Sequence, residues 1–239
     1  MSAASTARPD DEDRAAGKRR YRSPRRQMQA EQTRAAVIAA ASRIFAQRGW
    51  VATNMRDVAA EAGVSVETLY AAFESKAGLL KVVLDVAVVG DDEPVPFAAR
   101  PEAAAMGTGL TMQARARTAA RVVTAINTRT HLLEQALRQG AAVEAILAER
   151  LTASEASRRA AVADGATLVA RRAITEVEVD EIAALTSSAV YDLLVGSSGW
   201  SLAMYEQWLA GRFIEVIQRS PAPSNPKPSK KEPLDENSE

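Results

Sequence analysis

The sequence predicts an all-α protein with two helical domains between two tails. Apolar residues recur at the three- and four-residue spacing of helices from about residue 29 to residue 219, and the alternation typical of strands is almost absent. Glycine and proline concentrate at residues 90–101, which predicts a break between two helical units. Of the 239 residues, 47% are hydrophobic, which is enough to bury a sizeable core.

The first domain is predicted to contain one long helix and three capped helices. The long helix covers about residues 29–48 and stops at Gly49. Each later helix, at residues 54–62, 66–73 and from 76 onward, follows a hydroxyl-bearing residue that can cap its free N–H groups. These expected caps are Thr53, Ser65 and Ser75.

The two short helices form a helix-turn-helix pattern. Their joint, residues 62–65, contains Gly63, which permits the left-handed turn that a β-branched residue would resist. Ala59 is small where the two helices must approach closely. An apolar helix before the pair and a capped helix after it make the pattern much more specific than the pair alone.

Residues 53–80 resemble the DNA-binding domain of tetracycline-repressor (TetR) family regulators. The resemblance rests on apolar positions together with Gly63, Thr68-Leu69-Tyr70, Phe73 and Ser75-Lys76, preceded by Ile44-Phe45 and Gly49. It covers about residues 30–89. Residues 185–209 are more weakly similar to the C-terminal helices of many members.

The resemblance implies that residues 66–73 are a recognition helix that enters the major groove by its N-terminal end. A helix N-terminus offers unpaired N–H groups and partial positive charge, both of which favour phosphate. The expected DNA-binding residues of this unit are Thr53, Arg56, Ser65, Val66, Glu67, Thr68, Tyr70 and Lys76. The alternative role for the polar side chains among them is capping or an exposed polar face.

Two residues depart from the family pattern. A small residue is frequent at the position of Glu67, whose carboxylate either complements the helix dipole or accepts a hydrogen bond from a cytosine amino group. Gly78 stands where a glutamate or aspartate would complete a capping box with Ser75.

The charges are distributed unevenly, although 30 basic residues balance 30 acidic ones. Residues 29–89 carry six of each sign, so DNA affinity must come from elsewhere. Residues 1–28, expected to be a disordered arm, hold six cations within positions 18–26. Such an arm can follow the phosphates or enter a minor groove through Arg19, Arg20, Arg22, Arg25 and Arg26. The alternative is a solvated leader.

The second domain, residues 90–219, is predicted to contain five helices, at about 97–106, 111–138, 142–170, 179–195 and 202–218, with Ser201 capping the last. A proline-rich tail, residues 220–239, is also expected to be disordered.

In the resembled family the last two helices form a four-helix bundle in a homodimer, which suits a palindromic operator. The expected interface residues are Leu194, Trp208, Leu209 and Phe213. The alternative is that these stripes pack inside one subunit.

The resemblance also implies a small-molecule pocket in the second domain. Its expected lining residues are Ile126, Thr130, Leu133 and Tyr191. The alternative for each is ordinary core packing. The prediction is a homodimeric regulator of transcription, a repressor that a small hydrophobic effector releases from double-stranded DNA; the alternative is an effector-independent DNA-binding or nucleoid factor on the same scaffold.

The composition argues against an enzyme, a metal site and a cofactor. The chain has no cysteine and one histidine, and it shows neither a nucleophile elbow nor a phosphate-cradling glycine-rich loop. No apolar run approaches the roughly 20 residues that cross a bilayer, and the acidic residues 10–13 are unlike a signal peptide. A cytoplasmic protein is therefore expected.

Overall fold

The computed structural model describes residues 24–93 and 95–219, and the described residues contain helices but no strand. The α-helices are α1 Pro24–Ala52, α2 Met55–Ala62, α3 Val66–Phe73, α4 Lys76–Val89, α5 Pro101–Ala105, α6 Met112–Ala141, α7 Ala145–Ala170, α8 Glu176–Leu185, α9 Ser188–Tyr191 and α10 Leu202–Gln218. A 3₁₀ turn, Phe97–Ala99, precedes α5, and a π-helical turn, Asp192–Ser197, follows α9. The all-α class with an N-terminal helix-turn-helix domain and a helical C-terminal domain is confirmed.

Helix α1 differs from its expected limits at both ends. It begins at Pro24, so residues 24–28, expected in the disordered arm, are helical. Residues 1–23 and the tail from 220 to 239 lie outside the described residues. At the other end Gly49 adopts φ 69° and ψ −170°, which interrupts the helix where the sequence predicts its stop.

The cap of α2 is Asn54, and the prediction of Thr53 was wrong. The Asn54 Oδ1 accepts a hydrogen bond from the Asp57 amide at 2.9 Å. The Thr53 hydroxyl instead donates to the Gly49 carbonyl at 2.7 Å, and the residue is only 3% exposed. The chain reversal after the Gly49 kink therefore turns Thr53 inward. Ser65, Ser75 and Ser201 cap their helices as predicted.

The turn between α3 and α4 explains Gly78. Glu74 has a positive φ of 62°, and the Ser75 amide donates to the Phe73 carbonyl at 2.6 Å. A Cβ atom at position 78 would clash with that carbonyl oxygen. Completing the capping box with a glutamate or aspartate would therefore require this tight turn to open.

Two apolar cores meet along α6. The first joins α1–α4 to the C-terminal part of α6 and the start of α7, through residues such as Phe45, Leu69, Leu80, Leu137 and Leu147. The second joins α5 and the N-terminal part of α6 to α7, α8, α9 and α10. Helix α6 therefore contributes to both cores and joins the helix-turn-helix domain to the rest of the chain.

The predicted helix at 179–195 is two helices and a π-helical turn. A capping box between Thr175 and Glu178 starts α8 earlier, at Glu176. The Thr186 hydroxyl donates to the Ile182 carbonyl, and Ser187 then caps α9. Hydroxyl side chains compete here with backbone amides for hydrogen bonds to carbonyls. The spacing of apolar residues does not reveal this competition, so it predicts one uninterrupted helix.

We expect the Glu178 carboxylate to make stability depend on acid pH. Hydrogen bonds from Arg172 and from the Thr175 amide and hydroxyl lower its pKa from 4.5 to about 2. A lowered folded-state pKa stabilises the protein above pH 4.5, and this contribution disappears as the pH falls from 4.5 toward 2.

Replacing Glu178→Gln should therefore lower the free energy of unfolding by about 1–2 kcal/mol at pH 7 and by much less at pH 3. Urea denaturation followed by circular dichroism at both pH values measures this difference. Glu176→Gln is the control, because Glu176 is 84% exposed in its side chain. Equal effects of Glu178→Gln at the two pH values would contradict this prediction.

Candidate nucleic-acid interface

The buried faces of α2 and α3 leave one side of each helix at the surface. Val58 and Ala59 of α2 and Leu69 and Phe73 of α3 pack into the first core. Gly63 joins the helices in the left-handed conformation, with φ 68° and ψ 31°, as predicted. An eight-residue helix is about 12 Å long, comparable to the width of the DNA major groove.

The exposed side of α3 carries several of the predicted contact residues. Glu67 and Thr68 are exposed at its N-terminal turn, and Tyr70, on the next turn, is 46% exposed. Val66 and Tyr70 share a shallow surface depression with Arg56 and the α2 cap Asn54. The structure thus brings Arg56, Val66 and Tyr70 together, and it adds Asn54, which sequence reasoning missed.

Ser65 and Thr68 are partly used in capping α3. The Ser65 hydroxyl oxygen accepts a hydrogen bond from the Thr68 amide at 3.1 Å, and the two hydroxyl oxygens lie 3.0 Å apart. Both residues remain exposed. A phosphate near this turn would meet the hydroxyls and the remaining free amides together.

Glu67 fits the helix-dipole interpretation. Hydrogen bonds from its own amide and from the Ser65 hydroxyl lower the pKa of its carboxyl. The carboxylate therefore interacts with the positive end of α3 in the absence of DNA. Acceptance of a hydrogen bond from cytosine remains the alternative prediction.

Thr53 and Lys76 do not line this depression. Thr53 is buried, as described above. The Lys76 amino group lies 4.0 Å from the Trp50 ring centre and donates to the Trp50 carbonyl. Burial lowers the pKa of this amino group. Both side chains thus donate to backbone carbonyls at the α1 kink, and their role in DNA binding stays a prediction.

Most cations of residues 29–89, a range that is fully described, are already neutralised. Arg34 pairs with Asp92, Arg43 with Glu61, Arg48 with Asp57 and Lys81 with Asp85. Lys76 is held on Trp50. Arg56 alone in this range forms neither an ion pair nor a cation–π contact, and it is exposed beside Tyr70.

The predicted basic arm is mostly outside the described residues. Arg19, Arg20 and Arg22 lie there, as does the side chain of Arg26. Arg25 is exposed at the start of α1. The arm's role in DNA binding stays a prediction.

A cavity of about 970 Å³ lies beside the helix-turn-helix domain. Its wall is formed by α4, α6, α7, α8 and α10, by Arg34 of α1 and by residues 91–93 and 95–97, with apolar side chains such as Val86, Phe97, Val123, Val162 and Phe213. Of the four pocket residues expected from the sequence, Ile126 lines this cavity.

The other three expected pocket residues are packed in cores. Leu133 belongs to the first core and Tyr191 to the second. Thr130 is fully buried, and its hydroxyl has no hydrogen-bond partner among the described residues. None of the three lines the large cavity.

The predicted interface residues divide into two groups. Leu209 and Phe213 are buried within the subunit's own second core, while Leu194 and Trp208 are half-buried. Other apolar side chains around them are exposed, namely Leu193, Leu202 and Met204. Leu209 and Phe213 thus pack within the subunit, whereas Leu194 and Trp208 remain partly at the surface.

Residues 37–83 match the family model described as bacterial regulatory proteins, tetR family. These residues include the capped α2–α3 pair and its left-handed turn. The helix-turn-helix domain of this chain is therefore similar to that of tetR-family regulatory proteins. Among curated proteins none matches its sequence.

Solved structures share the fold over most of the chain. A protein from Rhodococcus sp. described as a TetR-family transcriptional regulator is 22% identical, with a TM-score of 0.57 over 78% of this chain and 99% of that one. One from Mesorhizobium loti, described in the same way, is 18% identical, with a TM-score of 0.58 over 79% and 96%. A TetR-like transcriptional regulator from Rhodococcus sp. RHA1 is 19% identical, with a TM-score of 0.54 over 79% and 97%. At these identities the likeness shows the fold.

Among the described residues, no helix combines the length and apolar character needed for a bilayer crossing.

We expect the Tyr70 hydroxyl to contribute to operator affinity. Tyr70→Phe should weaken binding about three- to tenfold, because it removes one hydrogen bond to phosphate and leaves the ring in place. Tyr191→Phe is the matched control, since that hydroxyl is bonded to Thr128 far along α6. Fluorescence anisotropy on a labelled operator selected in vitro measures both. Equal losses of operator affinity in the two variants would show that reduced protein stability, and not a lost phosphate contact, causes the effect.

Proposed function

We propose that this chain is a cytoplasmic homodimeric repressor of the TetR family that a small hydrophobic effector releases from a palindromic operator. The observation that carries the proposal is the position of the apolar cavity, which shares α4 with the helix-turn-helix domain. A ligand that fits this space in only one arrangement of α4 and α6 shifts the population toward that arrangement.

Helix α6 offers a direct route from the cavity to the DNA-binding domain. Val123 and Ile126 line the cavity, and one turn further along, the Arg129 guanidinium donates to the last carbonyls of α4, Ala87 and Val88, at 2.8 and 3.0 Å. Further along α6, the Gln139 Oε1 accepts a hydrogen bond from the Trp50 amide at 2.9 Å. Helix α6 therefore contacts the cavity, the C-terminal end of α4 and the kink of α1.

The proposal divides the chain by role. Residues 29–89 bind DNA through α2 and α3, residues 90–219 bind the effector and the second subunit, and the two tails flank them. The dimer contact is assigned to the exposed apolar side chains of the α9–α10 region, Leu193, Leu202 and Met204, with the half-buried Leu194 and Trp208 beside them. Two-fold pairing there presents two recognition helices to symmetric half-sites.

The test combines ligand binding with operator binding. Compounds that raise the melting temperature of the protein should also lower its affinity for an operator selected in vitro. Arg129→Gln should retain ligand binding and operator binding but reduce the effect of the ligand on operator affinity, because the contact between α6 and α4 is weakened. Gln135→Ala, on the same helix but bonded to Asp192, is the control.

Two outcomes would contradict the proposal. If compounds bind and stabilise the protein without changing operator affinity, the effector-independent DNA-binding factor becomes the better account. If the ligand is converted to a product by the purified protein, the assignment of a non-catalytic binding role is wrong.

A further inference from the structure

The polar groups of the cavity define a ligand class for the effector site of the proposed function. The walls are aliphatic over most of their area, with only two aromatic side chains, Phe97 and Phe213. A cavity of about 970 Å³ is at the upper end of the range that holds drug-sized molecules. The polar atoms of the cavity wall therefore determine which of several apolar ligands binds best.

The charged residues around the cavity neutralise one another. Nine line it, and eight of these are in ion pairs: Arg34 with Asp92, Lys81 and Arg150 with Asp85, Asp91 with Arg100, Glu134 with Arg138, and Arg158 with Glu155. The ninth, Glu93, is exposed to solvent. A charged ligand group inside would have no free counter-charge and would lose its hydration.

Asn127 supplies an unpaired acceptor, while the Arg150 Nε is a buried donor of a lining residue that has no partner among the described residues. Asn127 is 4% exposed and lines the cavity from α6. Its Nδ2 donates to the Thr186 carbonyl at 3.2 Å and to the Tyr205 hydroxyl at 3.3 Å. Because a carbonyl can only accept, these bonds fix the orientation of the amide.

The Asn127 Oδ1 is then left without a donor among the described residues. Burial raises the pKa of Tyr205 to about 12, so the neighbouring phenol stays uncharged. Because Asn127 lines the cavity, a ligand hydroxyl or N–H group can reach this acceptor and donate a hydrogen bond to it.

We infer that the cavity binds an uncharged, mainly aliphatic molecule with one hydroxyl or N–H group, which donates a hydrogen bond to the Asn127 Oδ1. Shape and apolar contacts hold the chain of the ligand, and the asparagine selects its polar end. This inference rests on the proposed effector site, but it is tested without DNA.

The test compares four probes by displacement of an environment-sensitive dye at pH 8. They are 1-decanol, its isomer methyl nonyl ether, decanoate and decyltrimethylammonium. The alcohol is expected to bind about tenfold more tightly than the ether, which can only accept a hydrogen bond, and at least tenfold more tightly than either ion. Asn127→Leu should bind the ether and the alcohol equally.

Several results would overturn the inference. They are equal binding of the alcohol and the ether by the wild-type protein, tighter binding of either ion, no binding of any probe, or an alcohol preference that survives in Asn127→Leu. The wild-type comparison stands even if that variant does not fold. If decanol binds as expected but leaves operator affinity unchanged, the proposed function is contradicted, while the inferred ligand class of the cavity is still supported.

Discussion

Removal of residues 1–23 should weaken operator binding about a hundredfold near 0.15 M salt and flatten its salt dependence. The deletion takes away Lys18, Arg19, Arg20 and Arg22 of the basic run, together with Arg8 and Arg14, but leaves α1, which begins at Pro24, intact. Within residues 29–89 only Arg56 is an unpaired cation, so the arm is the main source of phosphate contacts in this prediction. The four basic-run cations of each chain, eight in the proposed dimer, correspond to a slope change of up to about 7.

The measurement is a titration of the selected operator at several salt concentrations. Removal of residues 1–16 is the matched control, because it shortens the arm and leaves the basic run in place. That variant should keep the wild-type slope. An unchanged slope after removal of residues 1–23 would identify the arm as a solvated leader.

Trp50→Ala should lower the free energy of unfolding by about 3–5 kcal/mol. Trp50 is 3% exposed and lies parallel to the Phe45 ring, with ring centres 6.1 Å apart. The indole also contacts Lys76, and a Cβ at Gly140 would press against it. Its loss leaves a cavity where α1, α4 and α6 meet.

Urea denaturation at a fixed protein concentration measures this effect, since the proposed dimerisation would make stability depend on concentration. Trp50→Phe is the comparison variant and should cost clearly less, because an aromatic ring still covers Phe45. A loss below about 1 kcal/mol for Trp50→Ala would show that the α1 kink is not held by this packing.

The helix-turn-helix domain could be predicted from the sequence because its signals are local. Ser65 and Ser75 cap helices within three residues of themselves, and Gly63 is needed by the turn in which it lies. The Thr53 cap failed because a contact across the Gly49 kink decides where that hydroxyl points. A local pattern contains no information on such a kink.

The second domain was harder to predict because its packing is non-local. Periodicity identified the apolar stripe of α10, but only packing against α6 and α8 shows that Leu209 is internal while Met204 is exposed. The cavity depends on several helices at once, and only Ile126 among the expected residues lines it. Asn127, its neighbour in sequence, gave no signal because its role depends on Thr186 and Tyr205.

In vitro selection from a random duplex library tests the central claim most directly. The purified protein should enrich a two-fold symmetric sequence, and a variant with both Thr68→Ala and Tyr70→Ala, which changes only exposed positions of α3, should fail to enrich it under the same conditions. A pool that stays random with the wild-type protein, or an equal enrichment by the α3 variant, would contradict the assignment of α3 as the recognition helix.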